Sequence, residues 1–226
     1  MKIYAHRGAS HDFPEMTMVA YENAVKQGAD GFECDLRLTK DGVAVLWHDA
    51  DLKRRANNAA VVHESTYAQL VAIYPQIVTL DQFIDFGITE KKSLLLETKH
   101  PVPSRTEIEN HVVQKLHKEA KRIEKSGIDI TVMSFSWFAI EKIKKMDPTI
   151  KTVMLLGDLT NKISRRFTSA QVIGPSVEMI KKSPELFEPK PVFYEPLDGK
   201  HFVVISGVSD KDRVVTKSTT LLNQIR

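Results

Sequence analysis

Short hydrophobic runs alternate along the chain with amphipathic stretches of helical period. The runs have the length and the β-branched content of strands, and each is bounded by polar or turn-forming residues. They lie at residues 2–6, 31–38, 43–48, 93–98, 129–135, 150–156, 170–174, 201–206 and 213–216. The helical pattern occupies residues 17–27, 80–86, 106–125, 138–145 and 177–182. Alternation of strands and helices predicts a mainly parallel α/β sheet.

The length of the chain fits one barrel. No repeat, linker or low-complexity segment interrupts its 226 residues, so we interpret residues 1–226 as a single domain. A (β/α)8 TIM barrel of about 200–250 residues is in this range. Nine strand candidates are one too many for eight strands, and the motif TKDG at 39–42 explains the surplus. Its Asp-Gly pair predicts a hairpin that folds the run from Val43 back onto the run from Gly31.

The strand at 31–38 carries two acids. Glu33 and Asp35 are two residues apart and share one face, whereas Cys34 faces the other way. Two carboxylates on one face repel each other unless a positive charge lies between them, and such pairs often hold a hard divalent cation. A pair of exposed acids on a solvated strand is the alternative. Cys34 is interpreted as a core residue and not as a nucleophile.

The hairpin predicts where His48 lies. A two-residue loop pairs positions whose numbers sum to 81 or 83, so that His48 lies opposite Glu33 or Asp35. In both registers the histidine shares the face of the acids, where it is a candidate for acid–base work. A bulge would shift the register by one and turn His48 away.

Two further strands end in charged residues. One runs into His6 and Arg7, and another into Glu97 and Lys99. In a parallel barrel the active site lies at the carboxyl ends of the strands. A cation together with Arg7 or Lys99 can neutralise phosphate oxygens while the histidines move protons, so this set suits a phosphate diester. Redox chemistry is disfavoured, because no glycine fingerprint for a dinucleotide follows the first strand.

Composition narrows the function further. The net charge of +3 is mildly basic, which could favour an anionic substrate, and no dense Lys/Arg block indicates nucleic acid. The single cysteine excludes an intramolecular disulfide. No signal-peptide pattern is present, nor a run near the roughly 20 apolar residues of a membrane span. We therefore expect a cytoplasmic protein without stable membrane insertion.

Five motifs together resemble one enzyme family. They are AHRGAS (5–10), FPEMT (13–17), the segment 28–49, LETK (96–99) and MSFSWF (133–138). In residue types, order and spacing they are similar to the glycerophosphodiester phosphodiesterase family, whose fold is a barrel like that of phosphatidylinositol-specific phospholipase C. The resemblance implies a distorted (β/α)8 barrel and a divalent metal ion, Ca²⁺ or Mg²⁺. It also implies that the substrate is a small glycerophosphodiester, which is cleaved to glycerol 3-phosphate and an alcohol.

The resemblance also assigns roles to residues of this chain. It implies that the metal ligands are Glu33, Asp35 and Glu97, and that the acid–base pair is His6 and His48. Arg7 and Lys99 would contact the phosphate, and Glu15 would support the site. In the mechanism that it implies, the neighbouring glycerol hydroxyl attacks phosphorus, and water then opens the cyclic phosphate.

The chain departs from the family pattern at two places. Met16 replaces the asparagine of the usual PENT motif, and the C-terminal region lacks the usual tryptophan-containing strand. We therefore expect a barrel that is distorted or incompletely closed at its C-terminal end. Two rival functions stay open. One is a lysophospholipase D-like activity, to which Trp137 and Phe138 could contribute an apolar mouth. The other is a catalytically weak phosphodiester-binding or regulatory protein.

Overall fold

A parallel sheet dominates the computed structural model, which describes residues 2–157, 167–176, 179, 193–196 and 202–206. Its strands lie side by side in the order β1-β2-β4-β5-β6-β7, and all of these neighbours are parallel. The bounds are β1 Tyr4–His6, β2 Gly31–Leu38, β3 Ala44–Leu46, β4 Ser93–Thr98, β5 Ile130–Ser134, β6 Lys151–Leu156 and β7 Val172–Pro175. The short strand β3 pairs antiparallel with β2, as the hairpin signal predicted.

Helices connect the parallel strands. They are α1 Met18–Lys26, α2 Lys53–Ala56, α3 Tyr67–Ile73, α4 Leu80–Glu90, α5 Glu107–Ser126 and α6 Trp137–Met146, with a 3₁₀ turn at Val62–Glu64. The predicted helices correspond to α1, α4, α5 and α6. Of the predicted helix at 177–182 the structure describes only residue 179. The predicted strand at 213–216 lies outside the described residues. The elements α2, α3 and the 3₁₀ turn were missed, because each is too short to show a periodic pattern.

Helix α4 is longer than its pattern predicts. The prediction ended at Phe86, just before a glycine, but the helix continues to Glu90. Gly87 is buried and faces Leu94 of β4, and a Cβ added there would lie 2.8 Å from Leu94 Cδ2. The glycine therefore allows the helix to approach the sheet closely instead of ending it.

The two faces of β2 have different neighbours. Phe32, Cys34 and Leu36 are fully buried and belong to the main hydrophobic core, which confirms the interpretation of Cys34 as a core residue. The same core includes Tyr21 of α1 and Phe83 of α4, whose rings lie 4.7 Å apart between centroids. Glu33 and Asp35 project from the opposite face of the strand and are also fully buried.

The predicted register of the β2–β3 hairpin is wrong. Leu38 pairs with Ala44 and Leu36 with Leu46, so paired positions sum to 82 and not to 81 or 83. The loop has three residues between Thr39 and Val43, because Gly42 adopts a left-handed conformation with φ +77°. Such a residue adds one position to the turn. His48 lies beyond the end of β3, so the pairing of the strands does not aim its side chain.

The C-terminal part of the described chain includes a separate pair of strands, β8 Phe193–Pro196 and β9 Phe202–Ser206, which are antiparallel to each other. Strand β9 was predicted, whereas β8 was not. Within the described ranges, the parallel strands form a curled part-barrel with β1 and β7 at its ends. None of the described helices is long and apolar enough to cross a membrane.

Gly8 follows the strand that carries His6, and we expect its replacement to destabilise the protein strongly. It has φ +80°, and an added Cβ would lie 2.8 Å from the backbone carbonyl carbon of Ala20. We expect Gly8→Ala to lower the free energy of unfolding by roughly 2–4 kcal/mol, through strain and overpacking. Gly28→Ala is the matched control, because Gly28 has φ +83° with no atom within 4 Å of the added Cβ. Urea titrations should give a loss of only about 1 kcal/mol for the control, and equal losses would contradict the steric explanation.

Candidate active site

Strand pairing assembles the acids at the carboxyl ends of the strands. In the register of the sheet, His6 on β1 pairs with Glu33 on β2, and Asp35 pairs with Glu97 on β4. One carboxylate oxygen from each of Glu33, Asp35 and Glu97 lies within 4.8 Å of the others. The sequence placed only the two acids of β2 on a common face, and parallel pairing of β2 with β4 adds the third.

The three carboxylates are buried, and Glu33 and Asp35 are short of hydrogen bonds. Glu33 Oε1 has no hydrogen-bond partner among the described residues, and neither oxygen of Asp35 has a hydrogen bond of normal geometry. Burial, together with the charges of Asp35 and Glu97, raises the pKa of Glu33 well above its usual range. Burial and Asp35 likewise raise the pKa of Glu97 to about 7. Oxygen donors of this kind, with no sulfur or nitrogen among them, suit a hard divalent cation, so the cluster could bind a metal ion.

Two basic side chains offset part of this negative charge. Arg7 Nε lies 2.8 Å from Asp35 Oδ2, and Lys99 Nζ lies 3.3 Å from Asp35 Oδ1 and 2.7 Å from Glu97 Oε1. Burial alone would lower the pKa of Lys99, but the charges of Asp35 and Glu97 raise it, so the ammonium form is retained. The sequence predicted Arg7 and Lys99 as phosphate contacts, and in the structure both line the acidic cluster.

His6 lies beside the cluster. Its Nε2 atom is 3.7 Å from Glu33 Oε2, and the side chain is mostly buried. Burial and the positive charge of Arg7 lower the pKa of His6 to about 4, with a smaller contribution in the same direction from His48. The imidazole of His6 is therefore neutral at pH 7.

His48 approaches the site from a loop and not from a strand. The Arg37 side chain holds the His48 carbonyl oxygen with hydrogen bonds of 2.9 Å from Nε and 2.8 Å from Nη2. The His48 imidazole lies close enough to His6 for its charge to contribute to the lowered pKa of His6. His48 thus lies on the side of His6, although the register argument that predicted its position was wrong.

A second group of charges lies beside His48. Asp49 accepts a hydrogen bond from Arg54 on α2, and Arg54 also donates to Glu15. Glu15 has two more arginine neighbours, Arg7 at 3.4 Å and Arg55 at 3.5 Å. The sequence predicted Glu15 as a supporting residue and Arg7 as a phosphate contact, but it missed Asp49, Arg54 and Arg55. The sequence signals Asp49 only through its position next to His48. Arg54 and Arg55 lie on α2, which is too short to be recognised from a periodic pattern.

Met16 occupies the place of the family's asparagine. It has φ +55°, a left-handed conformation that asparagine tolerates better than methionine does. The side chain is buried, and its sulfur lies 3.4 Å from the backbone nitrogen of Asp35. The thioether therefore offers a weak acceptor in this position. Thr17 caps the N-terminus of α1, because its Oγ1 accepts a hydrogen bond from the Ala20 amide.

The raised pKa of Glu97 has a consequence for stability without metal. A carboxyl whose pKa is higher in the folded state stabilises the fold at pH values below its unfolded pKa, and this stability is lost as the pH rises through about 7. In EDTA at pH 8 we expect the free energy of unfolding of Glu97→Gln to be roughly 1–3 kcal/mol higher than that of the unmodified protein. The difference should disappear near pH 3, which is below the unfolded pKa of a glutamate, because the wild-type carboxyl is then protonated in both states.

Urea titrations in EDTA at several pH values measure this difference. Glu124→Gln, on the exposed face of α5, is the matched control and should change little at any pH. A Glu97→Gln protein that is less stable than the wild type at pH 8 would contradict the account of the buried acids.

Comparison with known proteins supports an enzyme site. The sequence model of the glycerophosphoryl diester phosphodiesterase family matches residues 6–190. A probable glycerophosphodiester phosphodiesterase 1 from Mycobacterium tuberculosis is 34% identical over 213 residues, which cover 82% of this chain and 76% of that protein. A glycerophosphodiester phosphodiesterase from Bacillus subtilis is 33% identical over 174 residues, which cover 67% of this chain and 58% of that protein.

Solved structures show the same fold. A glycerophosphodiester phosphodiesterase from Thermotoga maritima has a TM-score of 0.61 and 25% identity, and the match covers 81% of this chain and 71% of that one. A phosphodiesterase from Oleispira antarctica, solved with the product sn-glycerol-3-phosphate, has a TM-score of 0.63 and 21% identity, over 82% and 81% of the two chains. The prediction of a TIM-barrel class, distorted or incompletely closed, is confirmed. The chain belongs to the glycerophosphoryl diester phosphodiesterase family and is an enzyme of that family.

Proposed function

We propose that this protein, acting as a single domain over residues 1–226, hydrolyses small glycerophosphodiesters to glycerol 3-phosphate and an alcohol with the help of a divalent metal ion. The observation that carries the proposal is the cluster of Glu33, Asp35 and Glu97, which are buried together beside His6 and two basic side chains. Buried carboxylates this close together are costly unless a cation compensates them. A related M. tuberculosis protein of the same family has the same activity in its name.

The metal ion would be held by Glu33, Asp35 and Glu97. Their hard oxygen donors suit Ca²⁺ or Mg²⁺, and the missing hydrogen bond of Glu33 Oε1 leaves that atom free to coordinate. When bound, such an ion polarises phosphoryl oxygens and stabilises the negative charge that develops on them.

The remaining residues handle the phosphate and the protons. Arg7 and Lys99 are the nearest cations to the carboxylate cluster, and with a diester in place they can direct their N–H groups at its phosphate oxygens. His6 and His48 form the acid–base pair. One imidazole accepts the proton of the attacking hydroxyl, and the other donates a proton to the leaving alcohol oxygen. The attacking group in this proposal is a hydroxyl of the substrate, so the protein need not supply a covalent nucleophile. Cys34 is not placed for such a role, because it lies on the opposite face of β2, in the core.

The direct test is the release of glycerol 3-phosphate from glycerophosphocholine by purified protein. An enzyme-coupled assay with Mg²⁺, Ca²⁺ or Mn²⁺ should show turnover above the background of a protein-free control. The absence of turnover with glycerophosphocholine, glycerophosphoethanolamine and glycerophosphoglycerol under each of these metals would overturn the proposal. It would then favour a phosphodiester-binding role, which equilibrium binding of glycerophosphocholine can detect.

A specific observation favours a second candidate activity, the hydrolysis of lysophospholipids. Phe135 and Phe138 follow the carboxyl end of β5, at the same end of the sheet as the acids, and are 49% and 72% exposed. An apolar rim in this place could contact the acyl chain of lysophosphatidylcholine. If it does, Phe138→Ser should lower turnover of lysophosphatidylcholine and leave turnover of glycerophosphocholine unchanged. Equal turnover of lysophosphatidylcholine before and after the substitution would remove this candidate.

A further inference from the structure

Asp49 and Arg54 form a chain of contacts that begins at the imidazole of His48. His48 Nδ1 lies 2.7 Å from Asp49 Oδ1, and Arg54 Nε lies 2.5 Å from the other oxygen, Asp49 Oδ2. Both oxygens of the aspartate are therefore engaged at once, by different partners. Because two contacts define the plane of a carboxylate, Asp49 is fixed in orientation and not merely in position.

Glu15 holds the far end of this chain. Arg54 Nη2 donates to Glu15 Oε1 at 2.5 Å, so the guanidinium bridges Asp49 and Glu15. Glu15 is in turn within 3.4 Å of Arg7, which contacts Asp35. The half-exposed Arg54 thus contacts both acids at once, and its contact with Glu15 keeps the guanidinium beside Asp49.

The charge state of Asp49 decides which nitrogen of His48 carries the proton. Partial burial alone would raise the pKa of Asp49, but hydrogen bonds from His48 and Arg54 lower it below its usual value. An ionised carboxylate can only accept hydrogen bonds, so His48 Nδ1 must carry the hydrogen in this contact. In neutral His48 the lone pair is then on Nε2, the nitrogen that is not engaged by Asp49.

We propose that Asp49 is a positioning residue that fixes the tautomer and ring orientation of His48, and that Arg54, anchored on Glu15, holds Asp49 in place. The inference rests on the proposed function, because it gives His48 its role in proton transfer. When Nε2 takes up a proton, the imidazolium keeps Nδ1–H on Asp49, and the same Nε2 returns the proton in the opposite step. Among the residues that the structure describes, His48 also has the neutral imidazole of His6 nearby and the guanidinium of Arg37 at its backbone carbonyl.

Asp49→Asn tests the first half of the inference. The substitution keeps the shape but removes the charge, and an amide can present a donor that favours the wrong tautomer. We expect kcat for glycerophosphocholine to fall by about 10²-fold with little change in KM. Asp51→Asn is the matched control in the same loop, because asparagine can still accept the hydrogen bond of the Lys53 amide, and its kcat should be unchanged.

Arg54→Gln tests the second half, and the pH profile separates positioning from a general loss of structure. In Asp49→Asn the loss of the carboxylate charge disfavours the His48 imidazolium. The limb of the pH profile that follows His48 should therefore move to lower pH in that variant. Loss of the positive charge at Arg54 should move the same limb to higher pH, with a smaller fall in kcat. Lys53→Gln, beside Arg54 on α2 and well exposed, should do neither.

A readout without turnover is the ¹⁵N spectrum of the labelled imidazoles. The wild-type protein should show His48 as the Nδ1–H tautomer, and Asp49→Asn should show a mixture or the other tautomer. If Asp49→Asn keeps both the tautomer and the wild-type kcat, the inference is overturned. The same holds if the His48 limb of the pH profile moves in the same direction in Asp49→Asn and in Arg54→Gln. The absence of turnover by the wild-type protein would overturn the proposed function instead. The ¹⁵N spectrum would still test whether Asp49 fixes the tautomer of His48.

Discussion

Asp35→Asn should abolish the metal-dependent activity. Asp35 occupies the centre of the site, because its oxygens face Arg7 and Lys99 while Glu33 and Glu97 lie on either side of it. Removing its charge weakens the cation site and leaves two basic groups with one partner fewer. A bound metal ion contributes several kcal/mol of transition-state stabilisation, so we expect kcat/KM to fall by at least about 10³-fold.

Calorimetric titration with Ca²⁺ and Mg²⁺ should show a parallel loss of affinity in Asp35→Asn, since a carboxylate ligand is replaced by a neutral amide. Asp85→Asn is the matched control. Asp85 is half-exposed on α4 and paired with Arg122, so neither binding nor turnover should change when its charge is removed. Wild-type metal affinity in Asp35→Asn would show that the ion is bound elsewhere.

His48→Ala should lower kcat by roughly 10²–10⁴-fold, the usual contribution of a positioned acid or base. The side chain lies outside the carboxylate cluster, so metal affinity and KM should stay close to those of the wild type. The expected loss in His48→Ala is therefore confined to kcat, whereas Asp35→Asn is expected to lose metal affinity as well.

His117→Ala is the matched control for this substitution. His117 lies on α5 and also pairs with an aspartate, because its Nε2 atom is 2.7 Å from Asp147 Oδ2. Its replacement removes a histidine–aspartate pair remote in sequence from the site motifs and should leave turnover unchanged. Unchanged turnover in His48→Ala would remove that histidine from the acid–base role.

Strand patterns predicted the acidic part of the site well. The bounds of β2 and β4 agree with their hydrophobic runs to the residue, because each run is strictly limited by polar neighbours. The alternation along β2 separated Glu33 and Asp35 from Cys34 correctly. Once parallel pairing of β2 with β4 is accepted, the position of Glu97 beside Asp35 follows from the geometry of a sheet.

Loop geometry was beyond the reach of the sequence. The Asp41–Gly42 pair signals a hairpin, but whether the turn has two or three residues depends on the left-handed φ of Gly42, which many turns allow. Arg54 lies five residues after Asp49 on a four-residue helix, so no periodicity indicates that its guanidinium reaches both Asp49 and Glu15. The register was therefore wrong, and the charges around His48 were found only in three dimensions.

Removal and replacement of the metal ion show whether catalysis depends on a cation at Glu33, Asp35 and Glu97. The wild-type protein is treated with EDTA, freed of the chelator, and assayed for glycerol 3-phosphate release from glycerophosphocholine as Ca²⁺ or Mg²⁺ is added back. We expect turnover to be lost on chelation and to return with the same concentration dependence as metal binding in the calorimeter, whereas Asp35→Asn should recover neither turnover nor metal binding. Full turnover by the metal-free protein would contradict the assignment of Glu33, Asp35 and Glu97 as the ligands of a catalytic cation.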